Sequence, residues 1–129
     1  GSIKHDISVP VSVIPQFIAQ ASRAVMTALP GARPVPFGHV GDGNIHFNIS
    51  QPPGADKTAF LARSQEINRI VHDIVHSLGG SISAEHGIGR AKIDEIANYK
   101  SKTSLEVMRT IKRALDPHNI MNPGKVVRV

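Results

Sequence analysis

The stretch His39-Val-Gly-Asp-Gly-Asn-Ile-His46 puts two imidazoles on either side of a sharp turn signal. Asp42-Gly43 is the strongest part of that signal, because a two-residue type I′ hairpin turn needs positive φ at both centres. Such a loop pairs Gly41 with Asn44, Val40 with Ile45 and His39 with His46. Side chains directly opposite share a sheet face, with Cβ atoms about 4.5–5.5 Å apart. Two imidazoles so placed can hold one divalent ion, zinc or another first-row metal. Asn48, two residues beyond His46, points to the same side. On spacing alone, two histidines near a turn are more often surface or core residues than ligands.

A second stretch, Ser81-Ile-Ser-Ala-Glu85-His86-Gly87-Ile-Gly89, is rich in glycine, which lets backbone approach a ligand closely. In an extended segment Glu85 and His86 point to opposite sides, so one could complete a metal site while the other faces substrate. An exposed loop is the plainer reading of this pair taken alone. Gly87-Ile-Gly89 lacks the third glycine of a dinucleotide fingerprint. His72 and His76 have the four-residue spacing of a helical metal pair, but a helical wheel puts both opposite the apolar face, towards solvent. His5 and His118 have no partner assignable from sequence.

Composition narrows the chemistry. The chain of 129 residues has no cysteine, so thiolate catalysis, disulfides and thiolate metal sites are excluded. Aromatic residues make up 4%, too few for a base-stacking surface, and nucleic acid is not an expected partner. No apolar run nears the roughly 20 residues that span a bilayer, so no transmembrane segment is expected, and a cytoplasmic location is, with membrane association left open for a longer protein. Residues 1–89 balance six cations against six acids, while residues 90–129 hold nine against four and account for the whole net charge of +5. That basic end is either a solvated face or a surface for an acidic or phosphorylated partner. Gly1-Ser2 reads as a processing scar, which leaves residues 3–129 as one domain.

The elements that must position these residues follow from periodicity. Ile7, Val9, Val11 and Val13 alternate as in a half-buried strand, with Pro10 marking an edge or bulge. Pro15 opens a helix with Ile14, Phe17, Ile18, Ala21 and Val25 on one face, and Pro30-Gly31 ends it. Strands are expected at 33–40 and 44–50. Asp56 is a candidate N-cap for a helix running to about Leu78, its apolar side formed by Phe60, Ile67, Ile70, Val71, Ile74 and Leu78. A short helix over 90–98 precedes a last one, capped by Thr103 and Glu106 and ending at Leu115 before Asp116-Pro117. The order predicts an α+β, ferredoxin-like sandwich: an antiparallel sheet with helices on one face, short of one clear strand, plus a C-terminal helical extension.

Three motifs in order are far more specific than any one. Gly38-His-Val-Gly-Asp-Gly-Asn-Ile-His46, Ser83-Ala-Glu-His-Gly-Ile-Gly89 and Leu115-Asp-Pro-His-Asn-Ile-Met-Asn-Pro-Gly-Lys125 closely resemble the C-terminal domain of the FAD-linked oxidases, a family that includes D-lactate dehydrogenases, the glycolate oxidase flavin subunit and D-2-hydroxyglutarate dehydrogenase. The likeness runs from Lys4-His-Asp-Ile-Ser-Val-Pro to Lys125. It implies a substrate or cap domain cut from a flavin-dependent enzyme that oxidises a D-2-hydroxy acid, with FAD bound mainly by a missing N-terminal domain. By match, His39, His46 and Glu85 would be ligands of a divalent metal, zinc or manganese. His86 would contact the substrate hydroxyl as general base, Lys4 and Asn48 would hold substrate oxygens, and Asn122 and Lys125 would lie close to the flavin. Members often carry Tyr where this chain has His5, and the arginine that clamps a distal carboxylate lies upstream, so the particular acid is not assigned, nor is the electron acceptor. The partners implied are a small 2-hydroxy acid and the FAD-binding domain. Two other classes share these residues: a free-standing ferredoxin-like binding module, and a metal-dependent hydrolase with an open water position at His39, His46 and Glu85.

Overall fold

The computed structural model describes residues 1–129, which divide into two compact units, Gly1–Glu85 and His86–Val129. In the first, strand β1 (Ser2–Ser8) leads through a 3₁₀ turn at Val11–Val13 into helix α1 (Ile14–Ala28). Strands β2 (Arg33–His39) and β3 (Asn44–Ser50) follow, then helices α2 (Lys57–Ala62) and α3 (Ser64–Ser77). The antiparallel sheet has the order β1-β3-β2. This is the expected α+β, ferredoxin-like arrangement. The place of its fourth strand, beside β1, is taken by a single bridge between Ser8 and Ser81.

Alternation along each strand separates two faces. Ile3, Ile7, Ile45, Phe47 and Ile49 are buried in a core with Phe17, Ala21 and Val25 of α1 and Ile67, Val71 and Val75 of α3. The Phe17 and Phe47 rings meet edge-on, 5.4 Å between centroids. The opposite face is polar on β1 and β3 and mixed on β2, and register aligns its side chains in rows: Lys4 with Asn48 and Val35, Asp6 with His46 and Phe37, Ser8 with Asn44 and His39.

Three local expectations are corrected. Val9, Val11 and Val13 do not continue β1, because Pro10 turns the chain into the 3₁₀ segment. Asp56 does cap a helix, accepting from the Ala59 amide at 2.8 Å, but that helix breaks at Arg63. The break resets the helical phase, so a wheel drawn from Phe60 misplaces the apolar face of α3. His72 consequently lies in the interior, 2% exposed, its ring edge-on to that of buried His5 at 5.5 Å. His5 sits on the core face, with Nδ1 2.8 Å from the Phe47 carbonyl oxygen.

The second unit holds the short helix α4 (Ile96–Tyr99) and helix α5 (Lys102–Leu115). Its N-cap is Ser101, whose hydroxyl accepts from the Ser104 amide at 3.0 Å, while Glu106 pairs with Arg109. Ser101 enters α5 in extended conformation and so takes the cap position expected of Thr103. Asp116 ends the helix. Its buried carboxylate accepts from Lys112 and from the amides of Ile120 and Met121, both at 2.9 Å. The Lys112 ammonium, followed by those two amides, holds the Asp116 carboxyl below the usual carboxylate range.

Candidate functional site

The hairpin joining β2 and β3 decides where the two histidines stand. It closes through a 3₁₀ turn at Val40–Asp42, and only Gly43 has positive φ, at 74°. A type I′ turn would need Asp42 there as well. The loop is therefore two residues longer than the turn signal indicates: His39 faces Asn44, and Phe37 faces His46. The expected direct pairing of His39 with His46 does not form. Because the slip is an even number of residues, both imidazoles still belong to the same sheet face, set diagonally. Tertiary contact favours this loop. Val9 donates to the Gly43 carbonyl at 3.0 Å, and a Cβ on Gly43 would stand 2.2 Å from the Val9 oxygen.

Glu85 comes to the same place from the far end of the first unit. The Ser8–Ser81 bridge brings the chain back along β1, and Gly80 permits that passage, since a Cβ there would lie 2.3 Å from the Ser8 oxygen. Three residues on, the buried carboxylate of Asp6 catches the backbone. It accepts from the Ala84 amide at 3.1 Å and from the Glu85 amide at 3.0 Å. These two bonds offset the desolvation of a buried charge.

The resulting cluster has definite geometry. Glu85 Oε1 lies 3.8 Å from His39 Nε2, and Oε2 lies 3.8 Å from His46 Nε2. Asn44 donates its side-chain amide to Glu85, and its own Oδ1 is buried with no hydrogen-bond partner. Phe37 stacks at a tilt over His46, 5.1 Å between ring centroids. On its other nitrogen, His46 Nδ1 is 3.8 Å from Asp6 Oδ1.

Of the residues singled out by sequence, His39, His46 and Glu85 come together here. Lys4 and Asn48 occupy the next row of the same face, Lys4 exposed and Asn48 half-buried. His86 is the first residue of the second unit. Asn122 and Lys125 belong to that unit too. Asn122 has a φ of 48°, and Lys125 lines a cavity with Arg90, Asp94 and Arg128. Asp6 joins His39, His46 and Glu85, and strand alternation carries the signal for it: the residue two beyond Lys4 must share its face.

The donor set fits a first-row divalent ion. Two imidazoles and a carboxylate are the usual ligands, and a tetrahedral pair at about 2.1 Å from a metal sits about 3.4 Å apart, near the 3.8 Å separations present. The side chains of His39 and Glu85 are 67% and 46% exposed, which leaves the cluster open to a ligand.

Comparison with known proteins gives this cluster its context. A D-2-hydroxyglutarate dehydrogenase of Stutzerimonas stutzeri is 42% identical over 123 residues, covering 95% of this chain and 26% of that protein. The Arabidopsis thaliana protein named D-2-hydroxyglutarate dehydrogenase, mitochondrial, is 40% identical over 124 residues, 96% of this chain and 21% of that protein. A D-lactate dehydrogenase of Archaeoglobus fulgidus is 43% identical over 98 residues, 76% of this chain and 21% of that protein. The chain thus spans a fifth to a quarter of the length of these relatives. No helix is long and apolar enough to cross a membrane. Residues 1–126 match the family described as FAD linked oxidases, C-terminal domain, and the chain belongs to that family.

Proposed function

We propose that this chain is the substrate- and metal-binding part of a flavin-dependent dehydrogenase that oxidises a D-2-hydroxy acid to a 2-oxo acid. The observation that carries this reading is the Glu85 carboxylate standing 3.8 Å from an imidazole nitrogen of each of His39 and His46, on an open sheet face. His39, His46 and Glu85 would hold a divalent cation, zinc or manganese. Such a cation would supply Lewis acidity, making the substrate hydroxyl easier to deprotonate.

The chain's own residues orient the acid and move its proton. Lys4 and Asn48, one row along the face, suit carboxylate and hydroxyl oxygens. His86, next in sequence to Glu85, is assigned as the general base that takes the hydroxyl proton. Hydride acceptance belongs to FAD, held mainly by the rest of a longer protein, with Asn122 and Lys125 assigned close to it. Residues 3–129 form the cap domain in this reading, and the cytoplasmic location expected from sequence is kept.

The test is reconstitution. The purified chain should be colourless and inert towards D-lactate, glycolate and D-2-hydroxyglutarate with a dye acceptor. The same chain within a longer protein of the relatives' length should show a flavin spectrum and activity together. In that protein His86→Ala should lower turnover far more than metal content. Equal loss of both would move His86 into the ligand set. Oxidation of any of these acids by the chain alone would overturn the division of labour.

A further inference from the structure

We propose that Asp6 is a positioning residue: its one buried carboxylate both orients His46 and places Glu85. The inference rests on the reading of His39, His46 and Glu85 as a divalent-cation site. Asp6 is 3% exposed on β1, yet it reaches two different parts of the cluster. Through Oδ2 it accepts from the Ala84 and Glu85 amides, the latter shared with Oδ1 at 3.3 Å, which ties the Glu85 backbone to the sheet. Through Oδ1 it lies 3.8 Å from His46 Nδ1.

The two ends of the His46 ring therefore face different carboxylates, Asp6 at Nδ1 and Glu85, 3.8 Å away, at Nε2. The two distances are equal, but the Asp6 side chain is 3% exposed and that of Glu85 46%, so water screens Asp6 far less and the tautomer with its proton on Nδ1 is favoured. That leaves the Nε2 lone pair directed at the side of the ring where Glu85 stands, which is what a ligand needs. Asp6 thus couples strand β1 to both ligands that come from outside it. A neutral amide of the same size cannot do both tasks. Asparagine keeps one acceptor oxygen but turns its NH₂ group towards either the donor amides or the His46 ring.

The experiment uses the 129-residue chain labelled with ¹⁵N, metal-free and above the histidine titration range. Two-bond ¹⁵N–¹H correlations report which ring nitrogen of His46 carries the proton. Wild type should carry it on Nδ1, and Asp6→Asn should shift population to Nε2. Manganese alone, followed by calorimetry, should bind Asp6→Asn about 10–100-fold more weakly, the usual effect of removing a carboxylate behind a ligating histidine. A wild-type His46 protonated on Nε2 overturns the proposal, whether or not the variant folds. So does a folded Asp6→Asn chain with unchanged tautomer and unchanged manganese affinity. Wild type that binds no manganese while its tautomer still depends on Asp6 overturns the cation reading and upholds the orientation of His46.

Discussion

The first unit buries sixteen apolar side chains in 85 residues, and the second buries four, Ile93, Ile96, Leu105 and Val127, in 44. What the second lacks in core it supplies with polar connections. Arg128 pairs with Asp94 at 2.7 Å, Arg109 donates to the Arg128 carbonyl at 2.9 Å, and Asp116 gathers Lys112 and two amides. It also leaves apolar side chains outside, Leu115 at 73% and Ile120 at 77% exposed. Burial of apolar area is the main favourable term in folding, whereas exposed ion pairs contribute little. The cluster of His39, His46 and Glu85 belongs wholly to the well-packed unit. A cluster with definite geometry needs side chains whose supports do not move, and a filled core provides that.

Phe47 follows His46 in sequence, is fully buried and packs on Phe17. Phe47→Ala should cost about 3–5 kcal/mol in urea unfolding and take manganese affinity with it. Loss of manganese binding without loss of stability would mean that the core is not what holds the site. Next in size, His46→Ala should weaken manganese binding at least tenfold, about 1.4 kcal/mol, while the unfolding midpoint stays near wild type. A wild-type titration curve for that variant would remove His46 from the ligand set.

Helix caps sharpen the contrast between units. Asp56→Ala and Ser101→Ala remove equivalent N-cap bonds, each worth about 1 kcal/mol. Hydrogen exchange should show the Ser101→Ala effect confined to α5, whose amides should exchange earlier than those of β3. Slower exchange in α5 than in β3 would reverse the ranking of the two units.

Acid gives a gentler test. The Asp116 carboxyl is held low by Lys112 and the Ile120 and Met121 amides, so its folded pKa lies below its unfolded one. Its stabilising effect is complete above the unfolded carboxylate value and is lost as pH falls through the lowered folded value. The Ile120 and Met121 amide shifts should therefore hold steady through neutral and mildly acidic pH and move only in strong acid. In Asp116→Asn that acid-dependent movement should be absent. The smallest effect is expected from Ile111→Lys on the exposed face of α5, within about 0.5 kcal/mol. A larger loss would show that this face is covered in solution.

Much of this arrangement is legible along the chain. The bounds of β3, those of β2 to within one residue, the start of α1 beside Pro15, the Asp56 cap and the stop after Leu115 all follow from local rules, because turns, caps and periodicity are decided by a few neighbouring residues. So does the face shared by Lys4 and Asp6, and by His46 and Asn48, since strand alternation is local. Family likeness adds His39, His46 and Glu85 as a set. Long-range contacts decided the rest. The hairpin loop lengthened because Gly43 packs on Val9, the phase of α3 changed because its helix broke at Arg63, and His72 went inside against His5. The role of Asp6 depends on amides 78 and 79 residues away. No pattern within a strand encodes such a partner; only the return of the chain past Ser81, close against β1, brings it within hydrogen-bond reach.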